Sequence, residues 1–186
     1  PERLLLAYKK GIFPWFNDDD LIMWWSPDPR MVLFPNKIKI SKSMRRVIRS
    51  KQFRHTQNRA FKEVMIHCAK QKRKGQEGTW ITKTMQDAFM KLYEKGFARS
   101  YEVWQGNELV GGLYGVDLQH VFCGESMFTK VSNASKYAFI QLAQDLAQKK
   151  YVLIDCQMYT KHLESLGAEP MSRAKFVEIL EGYTSS

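Results

Sequence analysis

Asp155 and Gln157 close the run Tyr151-Val-Leu-Ile-Asp-Cys-Gln157, where an apolar stretch stops on two hydrogen-bonding side chains. Four β-favouring residues in a row predict a buried strand, and residues two apart on a strand share a face. A carboxylate and an amide then project together from the carboxyl end of a central strand, where open α/β sheets hold their ligands. Such a pair offers proton acceptance by the carboxylate and positioning by the amide. Burying an unpaired carboxylate is expensive, so a ligand-directed pair and a pair capping the strand's exit both stay open.

A second carboxylate, Glu125, lies inside the apolar segment Val121-Phe-Cys-Gly-Glu-Ser-Met-Phe128. Gly124 beside it suggests a bulge. Phe122 and Met127 have opposite parity, so both can line one pocket only if that bulge exists. Gly111-Gly-Leu-Tyr-Gly115 falls in a strand and opens no helix, so it matches neither a phosphate-binding loop nor a dinucleotide fingerprint. Its glycines either thin the sheet for a ligand or permit twist. Trp15, Trp80 and the Trp24-Trp25 pair are either core or platforms on which a base could stack, with Trp15 and Trp80 the stronger candidates for stacking.

Charge sets a further bound. The chain of 186 residues carries 29 basic and 19 acidic side chains, for a net charge of +10. Between Lys37 and Arg54 it holds Lys37, Lys39, Lys42, Arg45, Arg46, Arg49, Lys51 and Arg54 without an acid, and Lys70, Lys72, Arg73 and Lys74 follow. Local, unneutralised clustering of this kind is the footprint expected for a phosphate backbone; a solvated basic face is the plainer reading. No apolar run approaches the ~20 residues of a membrane span. Three scattered cysteines suit a reducing cytosol, and no His or Cys spacing suits a metal ion. The start, Pro1-Glu2-Arg3-Leu4, reads as a truncated N-terminus.

These residues need elements to hold them. The aromatic, proline-rich first 30 residues form a small N-terminal domain, with Asn17–Asp20 a loop, Leu21–Trp25 a strand and a break at Ser26-Pro-Asp-Pro29. The remainder, 31–186, is the larger domain. It opens with short strands at Met31–Phe34 and Lys37–Ile40, and Ser41 or Ser43 caps a basic helix reaching about Ser50. Phe61, Val64, Met65, Cys68 and Ala69 keep helical spacing, as do Met85, Ala88, Phe89 and Leu92 after a Thr82 cap. Extended segments Ser100–Gln105, Glu108–Asp117 and His120–Phe128 come next. A helix from Asn133 or Ser135 to about Lys149 leads to the 151–157 strand, and two short helical pieces end the chain, the last capped by Ser172. The order is α+β. It resembles the GNAT-like acyltransferase fold, a mixed, mostly antiparallel sheet flanked by helices, which splays to admit the acyl donor between the strands either side of the central helix. Phe128-Thr-Lys-Val-Ser-Asn-Ala-Ser135 lacks the glycine-rich turn that cradles coenzyme A.

Tyr8-Lys-Lys-Gly-Ile-Phe-Pro-Trp-Phe16, Trp24-Trp-Ser-Pro-Asp-Pro-Arg30, Gly78-Thr-Trp-Ile81, Gly111-Gly-Leu-Tyr-Gly-Val116, Phe122-Cys-Gly-Glu-Ser-Met-Phe128, Asn133-Ala-Ser-Lys136, Leu153-Ile-Asp-Cys-Gln157 and Ser165-Leu-Gly-Ala168 together resemble the leucyl/phenylalanyl-tRNA–protein transferase family. The likeness covers nearly the whole chain in order. Phe89 stands where the family commonly has Tyr, and Arg99 where it commonly has His; the family's upstream Gly-Gly-Asp segment is absent. The resemblance implies a cytoplasmic enzyme that moves Leu, Phe or Met from aminoacyl-tRNA to proteins beginning with Arg or Lys, marking them for N-degron-dependent degradation. It implies no cofactor, no metal and no membrane. Asp155 and Gln157 are the implied catalytic pair. Leu113, Phe122, Glu125, Met127, Phe139, Leu142 and Ile154 surround the amino-acid side chain, and Tyr8, Trp15, Trp80 and Phe89 hold the terminal adenosine. Glu125 and Asp155 attract the cationic acceptor, while Lys42, Arg45, Arg46 and Arg49 meet the tRNA backbone.

The chemistry suits these residue types. The donor is an activated ester, so amide formation runs downhill without a nucleotide. An α-amine of pKa roughly 7.7–8.0 is partly neutral near pH 7 and needs little base. Gln157, too weakly basic to hold a proton, would orient the amine, and Asp155 would supply charge and accept the proton. Two other readings are an N-acetyltransferase using acetyl-CoA, which the glycine-free turn opposes, and a non-catalytic RNA-binding module, which would tolerate changes at Asp155 and Gln157.

Overall fold

The computed structural model describes residues 1–16, 21–71 and 81–184. The predicted loop 17–20, the basic residues Lys72, Arg73 and Lys74, and Trp80 lie outside these. Among the described residues, one seven-stranded sheet has helices on both faces, and a two-stranded ribbon, β1 (Phe13–Pro14) with β2 (Trp24–Trp25), sits beside it.

The sheet's middle is the predicted meander of β5 (Ala98–Gln105), β6 (Glu108–Asp117) and β7 (Val121–Thr129), all antiparallel. β8 (Leu153–Gln157) then pairs in parallel with β7, because α5 (Ala134–Gln148) carries the chain back across the sheet. On the far side of β8 lies β3 (Arg30–Leu33), antiparallel to it, and β9 (Glu169–Met171) forms that edge; β4 (Arg54–Gln57) forms the other. This is the mostly antiparallel, helix-flanked α+β sheet expected from the sequence. The parallel pairing of β7 and β8 stops at Cys123 and Asp155 although both strands run on, so the sheet opens there.

Alternation along the strands divides the core. Val121, Cys123 and Leu153 face α1 (Glu2–Lys9), α3 (Phe61–Lys70), α4 (Lys83–Glu94) and α7 (Arg173–Thr184). Phe122, Leu113 and Ile154 face α5, α2 (Lys42–Arg49) and α6 (Lys161–Ser165). Predicted caps are in place: Ser41 Oγ accepts from Met44 N at 3.2 Å and Thr82 Oγ1 from Met85 N at 3.3 Å.

Three local readings need correction. Lys37–Ile40 is no strand: Pro35–Lys37 turns as a 3-10 helix, a start that Pro35 favours, and Lys39 N then bonds Leu166 O. Only Trp24 and Trp25 of the predicted 21–25 strand are paired, because their partner is a two-residue strand. The glycines of β6 make room for protein rather than for ligand. A Cβ on Gly111 would lie 2.6 Å from that of Ala134, and one on Gly115 would lie 2.2 Å from the Cys123 carbonyl oxygen.

Candidate active site

Asp155 is wholly buried between β7 and β3, and its charge is met in full. Arg30 Nε donates to Oδ1 at 2.8 Å and Nη2 to Oδ2 at 2.7 Å, a two-pronged pair at the start of β3. Nη1 donates to the Gly11 carbonyl at 3.1 Å. The guanidinium lies between the rings of Phe13 and Phe176, 4.7 and 4.8 Å from their centroids. Burial works against the Arg30 charge, yet Asp155 outweighs it and holds the guanidinium's pKa above its usual value. Asp155 Oδ1 also accepts from Gln157 N at 2.9 Å. Both carboxylate oxygens therefore carry N–H donors, two on Oδ1 and one on Oδ2, and the side chain holds the backbone of its neighbour.

Gln157 ends the strand abruptly. Its φ is 63°, and Met158 N bonds back to Cys156 O at 2.7 Å, so the residue is the centre of a γ-turn of the rare, strained kind. The turn, together with the bond to Asp155, aims the side chain at Glu125, where Gln157 Nε2 donates to Oε1 at 2.7 Å. With its nitrogen held there, the amide oxygen is the end left to accept from a ligand.

Glu125 reaches this position through the predicted bulge. Tyr114 pairs with Ser126 and Gly115 with Gly124, leaving Glu125 as the extra residue. The residue is half-buried, but its Oε2 is enclosed and, like the Tyr8 hydroxyl beside it, completes no hydrogen bond of good geometry. Burial above all pushes the Glu125 carboxyl up to about 8; Asp155 adds to the rise, while Tyr8, Gln157 and Arg30 offset part of it. The Tyr8 hydroxyl is raised well above its usual value by burial and by Glu125.

In front of these groups lies a cavity of about 390 Å³. Leu113, Met127, Phe139 and Leu142 form its apolar wall, and Glu125, Asp155 and Gln157 its polar end. A second cavity of about 290 Å³ runs alongside, bounded by Phe13, Pro14, Trp15, Met158 and Tyr159. Glu125, Cys156, Gln157, Thr160 and Leu163 line both. The structure thus brings together Leu113, Glu125, Met127, Phe139, Leu142, Asp155 and Gln157. Phe122 and Ile154 lie on the same sheet face as Leu113 but are fully buried in the core cluster behind the wall and do not line the cavity. Of the residues expected at the adenosine, Trp15 lines the second cavity. Tyr8 and Phe89 are core: Tyr8 closes on Glu125, and Phe89 packs edge-on to Tyr114 at 5.2 Å.

Arg30 escaped the sequence reading of the site, although a buried carboxylate demands a cation and Arg30 opens the apolar run Met31–Phe34. His162 stands alone in sequence, and no spacing marks it. It lines the first cavity from α6 with Nε2 buried and unpartnered among the described residues, and burial, then Lys136, lowers its pKa. The basic residues Lys42, Arg45, Arg46 and Arg49 are exposed on α2, none within ion-pair distance of a described carboxylate. α2 packs on α5, the helix that supplies Phe139 and Leu142. Arg99 serves the structure rather than the site. Its Nε meets the buried Asp117 at 2.5 Å, and Tyr151 donates to the same carboxylate at 2.9 Å.

A family model described as leucyl/phenylalanyl-tRNA protein transferase matches residues 32–181, and one for the N-terminal domain of that transferase matches residues 1–28. The leucyl/phenylalanyl-tRNA–protein transferase of Flavobacterium johnsoniae is 59% identical over 181 residues, covering 97% of this chain and 85% of that protein. The protein of the same name from Christiangramia forsetii is 54% identical over 182 residues, covering 97% and 86%. Among solved structures, a conserved protein of unknown function from Bacteroides thetaiotaomicron shares the fold, with a TM-score of 0.51 at 11% identity over 84% of this chain and 55% of that one.

Proposed function

The chain belongs to the leucyl/phenylalanyl-tRNA–protein transferase family, aminoacyltransferases that move Leu or Phe from aminoacyl-tRNA to proteins beginning with Arg or Lys, and we propose how its residues divide that work. The donor's side chain enters the 390 Å³ cavity, against Leu113, Met127, Phe139 and Leu142, and the esterified carbonyl stops at its polar end. The terminal adenosine occupies the second cavity against Trp15. An unbranched Met side chain suits the same slot, so Met-tRNA is a third donor. The acceptor's cationic N-terminus approaches Glu125 and Asp155. Lys42, Arg45, Arg46 and Arg49 lie along the tRNA backbone without reading its sequence.

At the reaction centre Gln157 Oε1 accepts from the attacking amine and fixes its approach, which is a positioning effect. Asp155, locked to Arg30, holds Gln157 in its γ-turn. Residues 1–30 act as a small domain that completes the second cavity through Phe13, Pro14 and Trp15. We place the enzyme in the cytoplasm, where its products enter N-degron-dependent degradation.

One observation carries this reading. An apolar slot ends on two carboxylates and the amide of Gln157, set on a strained backbone turn, beside an aromatic-walled slot that shares Glu125 and Gln157. The test is to charge tRNA with labelled Leu, add a peptide beginning with Arg, and follow the label. Its appearance in the peptide, and not in a peptide beginning with Glu, is the expected result; label that stays on tRNA under all conditions contradicts the reading.

A further inference from the structure

We propose that Glu125 is the proton carrier of the transfer, taking a proton from the attacking amine and handing it to the departing ribose oxygen. The inference rests on the reading above and adds a catalytic residue to it. Five described side chains line both cavities, and of these only Glu125 and Cys156 ionise. Burial, then the charge of Asp155, drives the Cys156 thiol far above its usual pKa, which removes it from proton chemistry near neutrality. Asp155 has both oxygens occupied by N–H donors. Glu125 differs on each count. One oxygen is tied to Gln157, the amide that orients the nucleophile, and the other is enclosed without a good partner.

The step balances without a co-reactant. The amine lone pair forms the C–N bond at the ester carbonyl, and one proton leaves nitrogen for the Glu125 carboxylate. The C–O bond breaks with its electron pair moving to the ribose oxygen, which then takes that proton and restores the carboxylate. The groups facing Glu125 are Tyr8 from α1, Arg30 from β3, Tyr114 across the bulge on β6, Cys123 on its own strand, and Asp155 and Gln157 from β8. Together they leave its carboxyl at about 8. An α-amine of pKa roughly 7.7–8.0 exchanges a proton with such a group at almost no cost in either direction. Arrival of a cationic N-terminus further favours the carboxylate form.

The experiment compares single-turnover transfer from leucyl-tRNA to a peptide beginning with Arg in the native protein and in Glu125→Gln, from pH 6 to 9.5. The ratio of the two rates cancels the titration of the peptide's own amine. The ratio should reach at least about 100-fold above pH 8 and shrink as the pH falls, in line with the ~10²–10⁴-fold worth of general acid–base catalysis. A variant within a few-fold of native at every pH overturns the proposal, and so does a large ratio that does not change with pH. A carbon-13 titration of the Glu125 carboxyl in the native protein is independent of how the variant folds. A midpoint near 8 supports the proposal, and one in the ordinary carboxylate range overturns it. A native chain that transfers nothing would instead sink the function proposed above, so the two failures are distinguishable.

Discussion

At the scale of single residues, the site consists of two carboxylates given opposite treatment. Asp155 is buried with N–H donors on both oxygens, whereas Glu125 has one oxygen on Gln157 and the other enclosed beside the Tyr8 hydroxyl without a hydrogen bond of good geometry. Removing Arg30 would strand the Asp155 charge, and breaking a buried pair from one side costs about 3–5 kcal/mol. Arg30→Ala should therefore lower the denaturation midpoint sharply, and the added change Asp155→Ala should recover part of the loss rather than add to it. Glu125 predicts a dependence on pH. Its folded pKa of about 8 lies above the usual 4.5, so the folded state holds a proton that the unfolded chain has released between those values. Its contribution is intact below about 4.5 and is lost as pH rises through about 8. The melting temperature of Glu125→Gln should match the native protein near pH 4.5 and exceed it by a growing margin toward pH 9. Equal melting temperatures at pH 9 would show that the carboxyl is not so perturbed.

At the scale of elements, the sheet opens where β7 and β8 stop pairing, and a bulge on one strand and a γ-turn on the other fill the opening with functional groups. Much of this is legible in the sequence. The parity conflict between Phe122 and Met127 points to the bulge, and Tyr151–Gln157 announces the strand. What stays hidden depends on partners distant in sequence. Arg54-His-Thr-Gln57 is too polar to read as a strand, yet it finds a free edge on β5. Glu169-Pro-Met171 carries a proline, which an edge strand tolerates. The Arg30–Asp155 pair spans 125 residues of sequence. The helix α2 gives a prediction of its own. Replacing Lys42, Arg45, Arg46 and Arg49 by alanine should raise KM for aminoacyl-tRNA with little effect on kcat. The log–log salt dependence of binding should also become shallower by about 3 to 4, if each cation meets one phosphate. An unchanged salt slope would remove α2 from the tRNA path.

At the scale of the whole molecule, the N-terminal residues are built into the main core. Leu4, Tyr8, Phe13 and Phe16 belong to the same hydrophobic cluster as Phe176 and Leu180, and Gly11 supplies a carbonyl to Arg30. The division into residues 1–30 and 31–186 therefore should not appear in unfolding: calorimetry should give one cooperative transition, and two separated peaks would contradict the shared core. Composition marks a boundary at Ser26–Pro29, where the two matched family models also meet, and what it does not reveal is that buried contacts cross that boundary. That crossing also explains why Tyr8, which the resemblance places at the terminal adenosine, is buried in the protein beside Glu125.

All of the proposed chemistry requires that the slot in front of Gln157 receive the donor's side chain and present its carbonyl to the amide. A crystal structure with leucyl-adenosine joined by a non-hydrolysable 3′ amide would show whether it does. The leucine side chain should lie against Met127, Phe139 and Leu142, with its carbonyl beside Gln157 and the adenine against Trp15. An analogue seated away from these residues, with the slot empty, would contradict that assignment.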